Sequence, residues 1–228
     1  MLPFILGGVA LAGLAKLAYD FATREAPVVP SRPLTRLGLN LTRLRGELAI
    51  GKGPALAIMG QPGAGTSSLL SKIGGRRLTP KPSIGVETDA TDWAGSDECV
   101  LLFSCEPWRI ADVPGYDTQG HPAAAFLADF PFSSFDVFVF VVRGKLREAD
   151  ESVYRRLTAT GKPVLVVRGF ADGIDNEEVV GAVQDIRRRL GVPESVKVVP
   201  VSNRSGIGIN IVRRWLRAQA RPKELTMT

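Results

Sequence analysis

The sequence predicts an α/β domain built on a mostly parallel six-stranded sheet with helices on both faces. Short apolar runs alternate with helical stretches from residue 54 onward, which is the pattern of a parallel sheet. A continuous apolar run such as 137–142 is typical of a strand that is buried on both faces. With 228 residues, the chain can bury such a core without disulfide bonds.

The composition excludes several classes of protein. A hydrophobic fraction of 45% with 23% charged residues excludes wholesale disorder and a polytopic membrane bundle. Two cysteines argue against a disulfide framework, and the single histidine, His121, leaves few ways to build a zinc site or a Ser-His-Asp triad. The net charge of +6 favours an acidic partner, which includes nucleic acid, anionic lipid and nucleotide phosphate.

Residues 1–25 are predicted to form an N-terminal hydrophobic anchor helix. Residues 2–15 carry no charge, and a helix over 2–19 would be roughly 27 Å long, near the lower limit for spanning a bilayer. A helix docked on the domain and a signal peptide are the alternatives. The anchor predicts a membrane-associated protein. Because the basic residues follow this segment, the positive-inside rule predicts that the remaining chain lies on the cytoplasmic side.

Residues 26–53 are predicted to be a proline-rich linker followed by an amphipathic helix. Pro27, Pro30 and Pro33 favour a polyproline II conformation, and Ser31 is a possible helix cap. Leucines then recur at spacings of three and four, at Leu34, Leu37, Leu41, Leu44 and Leu48. Such a stripe indicates a helix that packs on its own domain, on a partner helix or on a lipid surface.

The α/β domain is predicted to occupy residues 54–220, and residues 221–228 are predicted to be a C-terminal tail. Strands are predicted at Ala55–Met59, Val100–Phe103, Trp108–Asp112, Asp136–Val142, Pro163–Val167 and Val196–Val201. Helices are predicted at Thr66–Ile73, His121–Leu127, Glu148–Thr158, Glu177–Leu190 and Ile209–Ala218.

A glycine-rich turn follows the first predicted strand and leads directly into a helix. Its residues are Gly60, Gln61, Pro62, Gly63, Ala64, Gly65, Thr66 and Ser67, followed by Ser68. Such a loop aims backbone N–H groups at phosphate oxygens, and the following helix adds its positive N-terminal dipole. The Walker A template is matched at Gly60, Gly65 and Ser67, whereas Thr66 stands in the lysine position. The turn therefore predicts a nucleotide phosphate site.

A second motif closes the third predicted strand, where Asp112 is followed by Val113, Pro114 and Gly115. This is the D-x-x-G pattern of GTPases, in which the aspartate reaches the Mg²⁺ shell and the glycine N–H meets the γ-phosphate. Its place at a strand end, after the glycine-rich turn, makes a chance match less common.

In the order and spacing of its motifs, the chain resembles the P-loop GTPase superfamily, most of all the Era, septin and immunity-related branches. The resemblance covers roughly residues 55–215 and implies a three-layer G domain that binds GTP or GDP with Mg²⁺. The base-recognition motif [NT]-K-x-D falls at Gly169–Asp172, where only Asp172 matches, and it implies a contact from Asp172 to guanine. Ser202 and Asn203 stand where the family has S-A-K after the sixth strand.

The resemblance also implies a metal site and two switch segments. The Mg²⁺ ligands would be Ser67, Thr88 and Asp112, with Thr91 as the second possibility for the switch threonine. The switch segments would lie at 85–91 and 114–118.

Several departures from the family pattern bear on activity. Thr66 removes the phosphate-binding lysine, and Gly169 and Phe170 remove side chains that buttress the loop and lie over the base. Tyr116 stands where some GTPases carry a water-orienting glutamine. Replacement cations just beyond the loop, which otherwise form a solvated helix end, are Lys72, Arg76, Arg77 and Lys81.

The leading hypothesis is a membrane-tethered GTP-binding regulatory or assembly protein with slow or absent intrinsic hydrolysis. We expect it to have a protein partner or to self-associate. The alternative is a pseudo-GTPase that keeps the fold as a protein-interaction module. A ribosome- or RNA-associated GTPase is a third hypothesis, which the predicted N-terminal anchor disfavours, so nucleic acid is not the expected partner.

Overall fold

The computed structural model describes residues 35–82, 84 and 91–220 of the chain. The predicted anchor helix, the proline-rich linker and the C-terminal tail lie outside the described residues. Among the residues that the structure describes, no helix has the length and the apolar content needed to cross a bilayer.

A six-stranded sheet forms the centre of the described domain. Its strands are β1 (Ala55–Gly60), β2 (Phe103–Cys105), β3 (Trp108–Asp112), β4 (Val137–Val142), β5 (Val164–Arg168) and β6 (Val198–Pro200). The strand order is β2-β3-β1-β4-β5-β6, with β2 antiparallel to β3 and the other neighbouring pairs parallel. The predicted mostly parallel sheet of six strands is confirmed.

In the part of the chain that the structure describes, six α-helices accompany the sheet. They are α1 (Arg36–Ile50), α2 (Thr66–Gly74), α3 (Ala123–Asp129), α4 (Glu148–Thr158), α5 (Asn176–Leu190) and α6 (Ile209–Gln219). The predicted bounds of the second strand were wrong, because β2 begins at Phe103 rather than Val100. Cys105 pairs with Trp108 across a tight hairpin, and this turn fixes which residues of β2 can reach β3.

Strands β1, β4 and β5 bury both of their faces, in two separate hydrophobic clusters. On β1, Ala55, Ala57 and Met59 belong to one cluster, and Leu56 and Ile58 belong to the other. The first cluster contains buried side chains of α1 and α4 together with a group of aromatic side chains. The second contains buried side chains of α2 and α6. A strand buried on both faces needs apolar residues at consecutive positions, which explains the continuous apolar runs in the sequence.

The leucine stripe packs on its own domain. Leu37, Leu41, Leu44 and Leu48 are buried in the first cluster. The helix begins later than predicted, because Thr35 rather than Ser31 is the cap: its Oγ1 accepts a hydrogen bond of 3.2 Å from the backbone N–H of Gly38.

One polar side chain of α1 holds the loop of residues 93–99, which we name the α1-bound loop. Asn40 is only 2% exposed, and its Nδ2 donates hydrogen bonds of 2.8 Å to the carbonyl oxygens of Trp93 and Ser96. Arg36 Nε lies 3.0 Å from Asp97 Oδ1. Because a buried amide is costly to leave unpaired, Asn40 ties α1 to the chain just after Thr91.

Candidate functional site

The glycine-rich turn lies between β1 and α2 at the carboxyl edge of the sheet. Gly65 has φ 93°, a left-handed conformation that favours glycine, and it immediately precedes the first turn of α2. The N–H of Ala64 donates a 3.0 Å hydrogen bond to the carbonyl oxygen of Gln61, which closes the turn. Because β3 and β4 flank β1, the ends of all three strands meet beside this loop. The loop therefore has the position of a phosphate-binding loop in an open α/β sheet.

Three oxygen-bearing side chains meet at the end of β3. Ser67 Oγ donates a 2.6 Å hydrogen bond to Asp112 Oδ2, and Thr91 Oγ1 donates one of 3.0 Å to the same oxygen. The two hydroxyl oxygens lie 3.3 Å apart. The structure thus brings together the predicted Ser67 and Asp112 with Thr91. Thr88 lies outside the described residues, and its assignment to the metal stays a prediction.

The carboxyl group of Asp112 is buried, and its Oδ1 has no hydrogen-bond partner. Burial raises the pKa of Asp112, while hydrogen bonds from Ser67, Thr91 and Thr66 act in the opposite direction. Hard oxygen donors of this kind suit Mg²⁺, and a divalent cation would satisfy the unpartnered Oδ1. Among the described residues, those that would hold the ion are Ser67, Thr91 and Asp112.

Gly115 packs directly on the phosphate loop. A Cβ atom at Gly115 would lie 2.6 Å from Cγ of Pro62, so only glycine fits this approach. A cavity of about 240 Å³ opens beside it, lined by Thr91, Gly115, Gln119 and others. Gln119 is exposed, and sequence reasoning did not single it out although it lies four residues after Gly115.

Tyr116 does not face this cavity. Its side chain is fully buried, and its hydroxyl donates a 2.6 Å hydrogen bond to Oδ1 of Asp150 on α4. Burial, followed by the nearby Asp150 carboxylate, raises the pKa of Tyr116 well above its usual value. Tyr116 occupies the sequence position of a water-orienting glutamine, but its hydroxyl is engaged in the core and cannot play that part.

The loops after β5 and β6 also dock on the phosphate loop. A Cβ atom at Gly169 would lie 2.9 Å from the carbonyl oxygen of Ala64, and Asn203 Nδ2 donates a 3.1 Å hydrogen bond to that of Gly65. Asp172 is exposed, and a hydrogen bond with Ser202 lowers the pKa of its carboxyl group. The predicted base-recognition aspartate is therefore ionised, and its partner Ser202 immediately precedes Asn203, which contacts the phosphate loop.

The cations predicted as replacements for the missing lysine are at the wrong end of α2. Arg76 and Arg77 follow the C-terminus of this nine-residue helix, which is roughly 13 Å long, and Lys72 belongs to its last turn. Lys81 Nζ donates to the carbonyl oxygens of Gly75 and Arg76, 2.7 and 3.2 Å away. These cations stabilise a helix C-terminus, where positive charge is favourable, and do not approach the phosphate loop.

A different cation contacts the phosphate loop. Arg143, the residue after β4, donates a 3.2 Å hydrogen bond from Nη1 to the carbonyl oxygen of Gly63. Sequence reasoning missed Arg143. It reaches this loop only because β4 pairs with β1 in the sheet.

A parallel sheet with a glycine-rich loop before a helix, and a serine and an aspartate converging at the metal position, defines a P-loop G domain. The family model described as "50S ribosome-binding GTPase" matches residues 55–168, which is half of the chain. The chain therefore belongs to this family of P-loop GTPases, whose members use GTP or GDP with Mg²⁺.

Known relatives agree with this family. The chain is 31% identical to GTPase Der of Streptococcus pneumoniae (strain Hungary19A-6) over 160 residues, which cover 68% of this chain and 34% of Der. It thus spans about a third of the length of the curated relatives it matches.

Two solved structures show the same fold. One is Era of Aquifex aeolicus bound to GDP and AlF4⁻, with a TM-score of 0.58, 22% identity, and coverage of 76% of this chain and 59% of Era. The other is a probable GTP-binding protein engB, with a TM-score of 0.54, 18% identity, and coverage of 73% of this chain and 98% of that chain.

Proposed function

We propose that this protein is a membrane-tethered GTP-binding regulatory or assembly protein whose intrinsic GTP hydrolysis is slow or absent. The observation that carries the nucleotide part is the convergence of Ser67 and Thr91 on Asp112 beside the phosphate loop. The unpartnered, buried Oδ1 of Asp112 favours a cation-dependent ligand at this place.

Nucleotide binding rests on this chain's own groups. The phosphate loop presents backbone N–H groups at the N-terminus of α2, and Asp172 offers two acceptors for a guanine base. Ser67, Thr91 and Asp112 would hold Mg²⁺, which would supply positive charge to offset that of the phosphates.

Slow turnover follows from two side chains. Thr66 supplies no cation to stabilise the charge that develops on the phosphates in the transition state. Tyr116 donates its hydroxyl to Asp150 and therefore orients no water in the site. Loss of one phosphate cation is worth several kcal/mol, roughly 100-fold or more in rate.

Regulation is supported by the connection between the site and α1. Thr91 contacts Asp112, and two residues later Trp93 is held by Asn40 of α1. The backbone N–H of Trp93 also donates a 3.2 Å hydrogen bond to Nε2 of His121, in the segment that follows Gly115. A change at the metal site therefore has a short path to α1 and to the segment that follows Gly115.

Calorimetry tests the nucleotide part. The purified full chain is titrated with GDP and a non-hydrolysable GTP analogue, with and without Mg²⁺, and Ser67→Ala serves as the variant that lacks one metal ligand. Binding that depends on Mg²⁺ in the unmodified chain and is weaker in Ser67→Ala supports the proposal. A chain that binds neither nucleotide is the pseudo-GTPase of the alternative hypothesis.

Cell fractionation tests the tether, which rests on the uncharged run of residues 2–15. Val9→Asp combined with Leu11→Asp places two charges in this run without shortening it, and should move the protein from the membrane fraction to the soluble one. Val9→Leu with Leu11→Val is the matched control and should stay with the membrane. A full-length chain that is soluble without detergent contradicts the tether.

A further inference from the structure

The phosphate loop of this chain lacks its lysine, yet a guanidinium contacts it from the neighbouring strand. Arg143 follows β4 directly and is exposed, and its Nη1 donates to the Gly63 carbonyl oxygen at 3.2 Å. Gly63 is in the middle of the loop, so this hydrogen bond holds the loop at its centre. A charged donor strengthens such a bond relative to a neutral one.

The same guanidinium stacks on an aromatic ring. The central carbon of the Arg143 guanidinium lies 4.1 Å from the centre of the Phe170 ring. A planar guanidinium can stack on a ring with its face and donate hydrogen bonds at its edge at the same time. Arg143 therefore connects the phosphate loop to the loop that carries Asp172.

Phe170 is held in an unusual conformation. It has φ 58°, in the left-handed region that a bulky side chain avoids, and 41% of its surface is exposed. Its Cε2 would lie 3.6 Å from a Cβ atom at Gly65, so the ring borders the phosphate loop. Strained residues of this kind persist where surrounding contacts fix them, and they cluster at ligand-binding positions.

Positive charge is concentrated here, and no carboxylate of the described residues forms an ion pair with Arg143. Burial, and then repulsion from Arg143, lowers the pKa of Arg168, whose guanidinium donates to the carbonyl oxygen of Gly169. An anionic ligand in the phosphate loop would relieve this repulsion.

We propose that Arg143 and Phe170 form a stacked pair in which Arg143 positions the phosphate loop and Phe170 offers its ring to the nucleoside of the bound nucleotide. The inference rests on the proposed nucleotide binding and names two residues that contribute to the affinity for the nucleotide. The base-recognition motif has a lysine where this chain has Phe170. In this chain the positive charge beside that position comes instead from Arg143, at the end of β4. Arg143 is a positioning residue, and Phe170 is a ligand contact.

Titration calorimetry of the full chain with GDP and Mg²⁺ tests the pair through a double-mutant cycle. Arg143→Ala should weaken GDP binding roughly tenfold, since one charged hydrogen bond and one cation–π contact are lost. Phe170→Leu keeps an apolar side chain under the same backbone strain but removes the ring, and should weaken binding by a smaller factor. The double variant should lose less than the product of the two single losses, because the single changes break one shared contact.

Two further variants separate this role from charge alone. Lys145→Ala removes another exposed positive charge two residues away and should change the dissociation constant less than twofold. Arg143→Lys keeps the charge and a hydrogen-bond donor. Its affinity for GDP should lie between those of the unmodified protein and Arg143→Ala. Circular dichroism should show that all variants keep the fold.

The outcomes distinguish the two proposals. If the unmodified chain binds no nucleotide, the proposed function fails and the pair fails with it. If the unmodified chain binds GDP but Arg143→Ala binds equally well, or loses no more than Lys145→Ala, only the inference about the pair is wrong. If the affinity losses of Arg143→Ala and Phe170→Leu simply multiply in the double variant, the inference about the pair is also wrong.

Discussion

Tyr116 and Asp150 form a buried hydrogen bond of 2.6 Å that joins the segment after Gly115 to the first turn of α4. The other carboxylate oxygen of Asp150 accepts a 2.8 Å hydrogen bond from the backbone N–H of Arg147, which caps the same helix. One carboxylate thus anchors both α4 and the second switch segment. The tyrosine at the position of a catalytic glutamine is a structural residue.

Tyr116→Phe should therefore lower stability and leave nucleotide hydrolysis unchanged. Removal of the hydroxyl leaves Asp150 with one partner fewer in the core, at a cost of about 1–3 kcal/mol in the free energy of unfolding. Urea denaturation and a phosphate-release assay measure the two quantities. If Tyr116→Phe has unchanged stability but altered turnover, Tyr116 acts in hydrolysis and the structural role is wrong.

The same pair predicts a pH dependence. The folded protein holds the pKa of Tyr116 above the usual 10.0, so the neutral phenol stabilises the fold. This contribution is complete below about pH 10 and is lost as the pH rises above it. The stability difference between the unmodified protein and Tyr116→Phe should shrink on raising the pH above 10, in urea denaturation at matched ionic strength. A difference that grows with pH would contradict the sign.

Thr91→Val tests Thr91, which donates a hydrogen bond to Asp112, as a ligand of Mg²⁺. Valine has nearly the same shape as threonine but no hydroxyl, so the variant should bind the GTP analogue more weakly in Mg²⁺. Its affinity for GDP without Mg²⁺ should stay nearly constant. Thr88→Val is the matched comparison, and calorimetry gives both constants. If Thr88→Val shows the larger Mg²⁺-dependent loss, the switch threonine is Thr88.

Thr66→Lys should strengthen nucleotide binding without disturbing the fold. Position 66 begins α2, where lysine is at least as good a helix former as threonine, and its ammonium gains a charged contact to phosphate oxygens. The gain should be roughly 1.5–3 kcal/mol, about ten- to a hundredfold in affinity, and larger for GTP than for GDP. Calorimetry with both nucleotides measures it.

Lys72→Ala is the control for that experiment, because Lys72 lies in the last turn of α2 and should not affect binding. Unchanged constants in Thr66→Lys, in a chain that binds nucleotide, would mean that Gly60–Ser67 holds no phosphate.

Asp172→Asn should shift base preference from guanine towards xanthine. The exposed carboxylate offers two acceptors to guanine, whereas an amide offers one acceptor and one donor. Competition between GDP and XDP for the site measures the shift, with Asp185→Asn on α5 as a control of equal charge change. Equal affinity of the unmodified protein for ATP and GTP would remove Asp172 from base recognition.

The sheet and the position of the phosphate loop were predictable because their signals are local. The apolar run 137–142 and the glycines between β1 and α2 indicate strand and loop without reference to distant residues. The directions of Tyr116 and Arg143 were not predictable in the same way. Tyr116 reaches Asp150 on α4, and Arg143 reaches Gly63 because β4 neighbours β1, so both depend on packing between elements far apart in the sequence.

The α1-bound loop has a mechanical consequence. Asn40 joins α1 to Trp93, two residues from Thr91, and α1 begins immediately after the N-terminal residues 1–34. Coupling between two sites is reciprocal, so if nucleotide at Thr91 changes the hold on Asn40, a pull on the chain ahead of Thr35 changes nucleotide affinity by the same free energy. Nucleotide affinity in a protein built in this way would depend on how α1 is held at its N-terminal end.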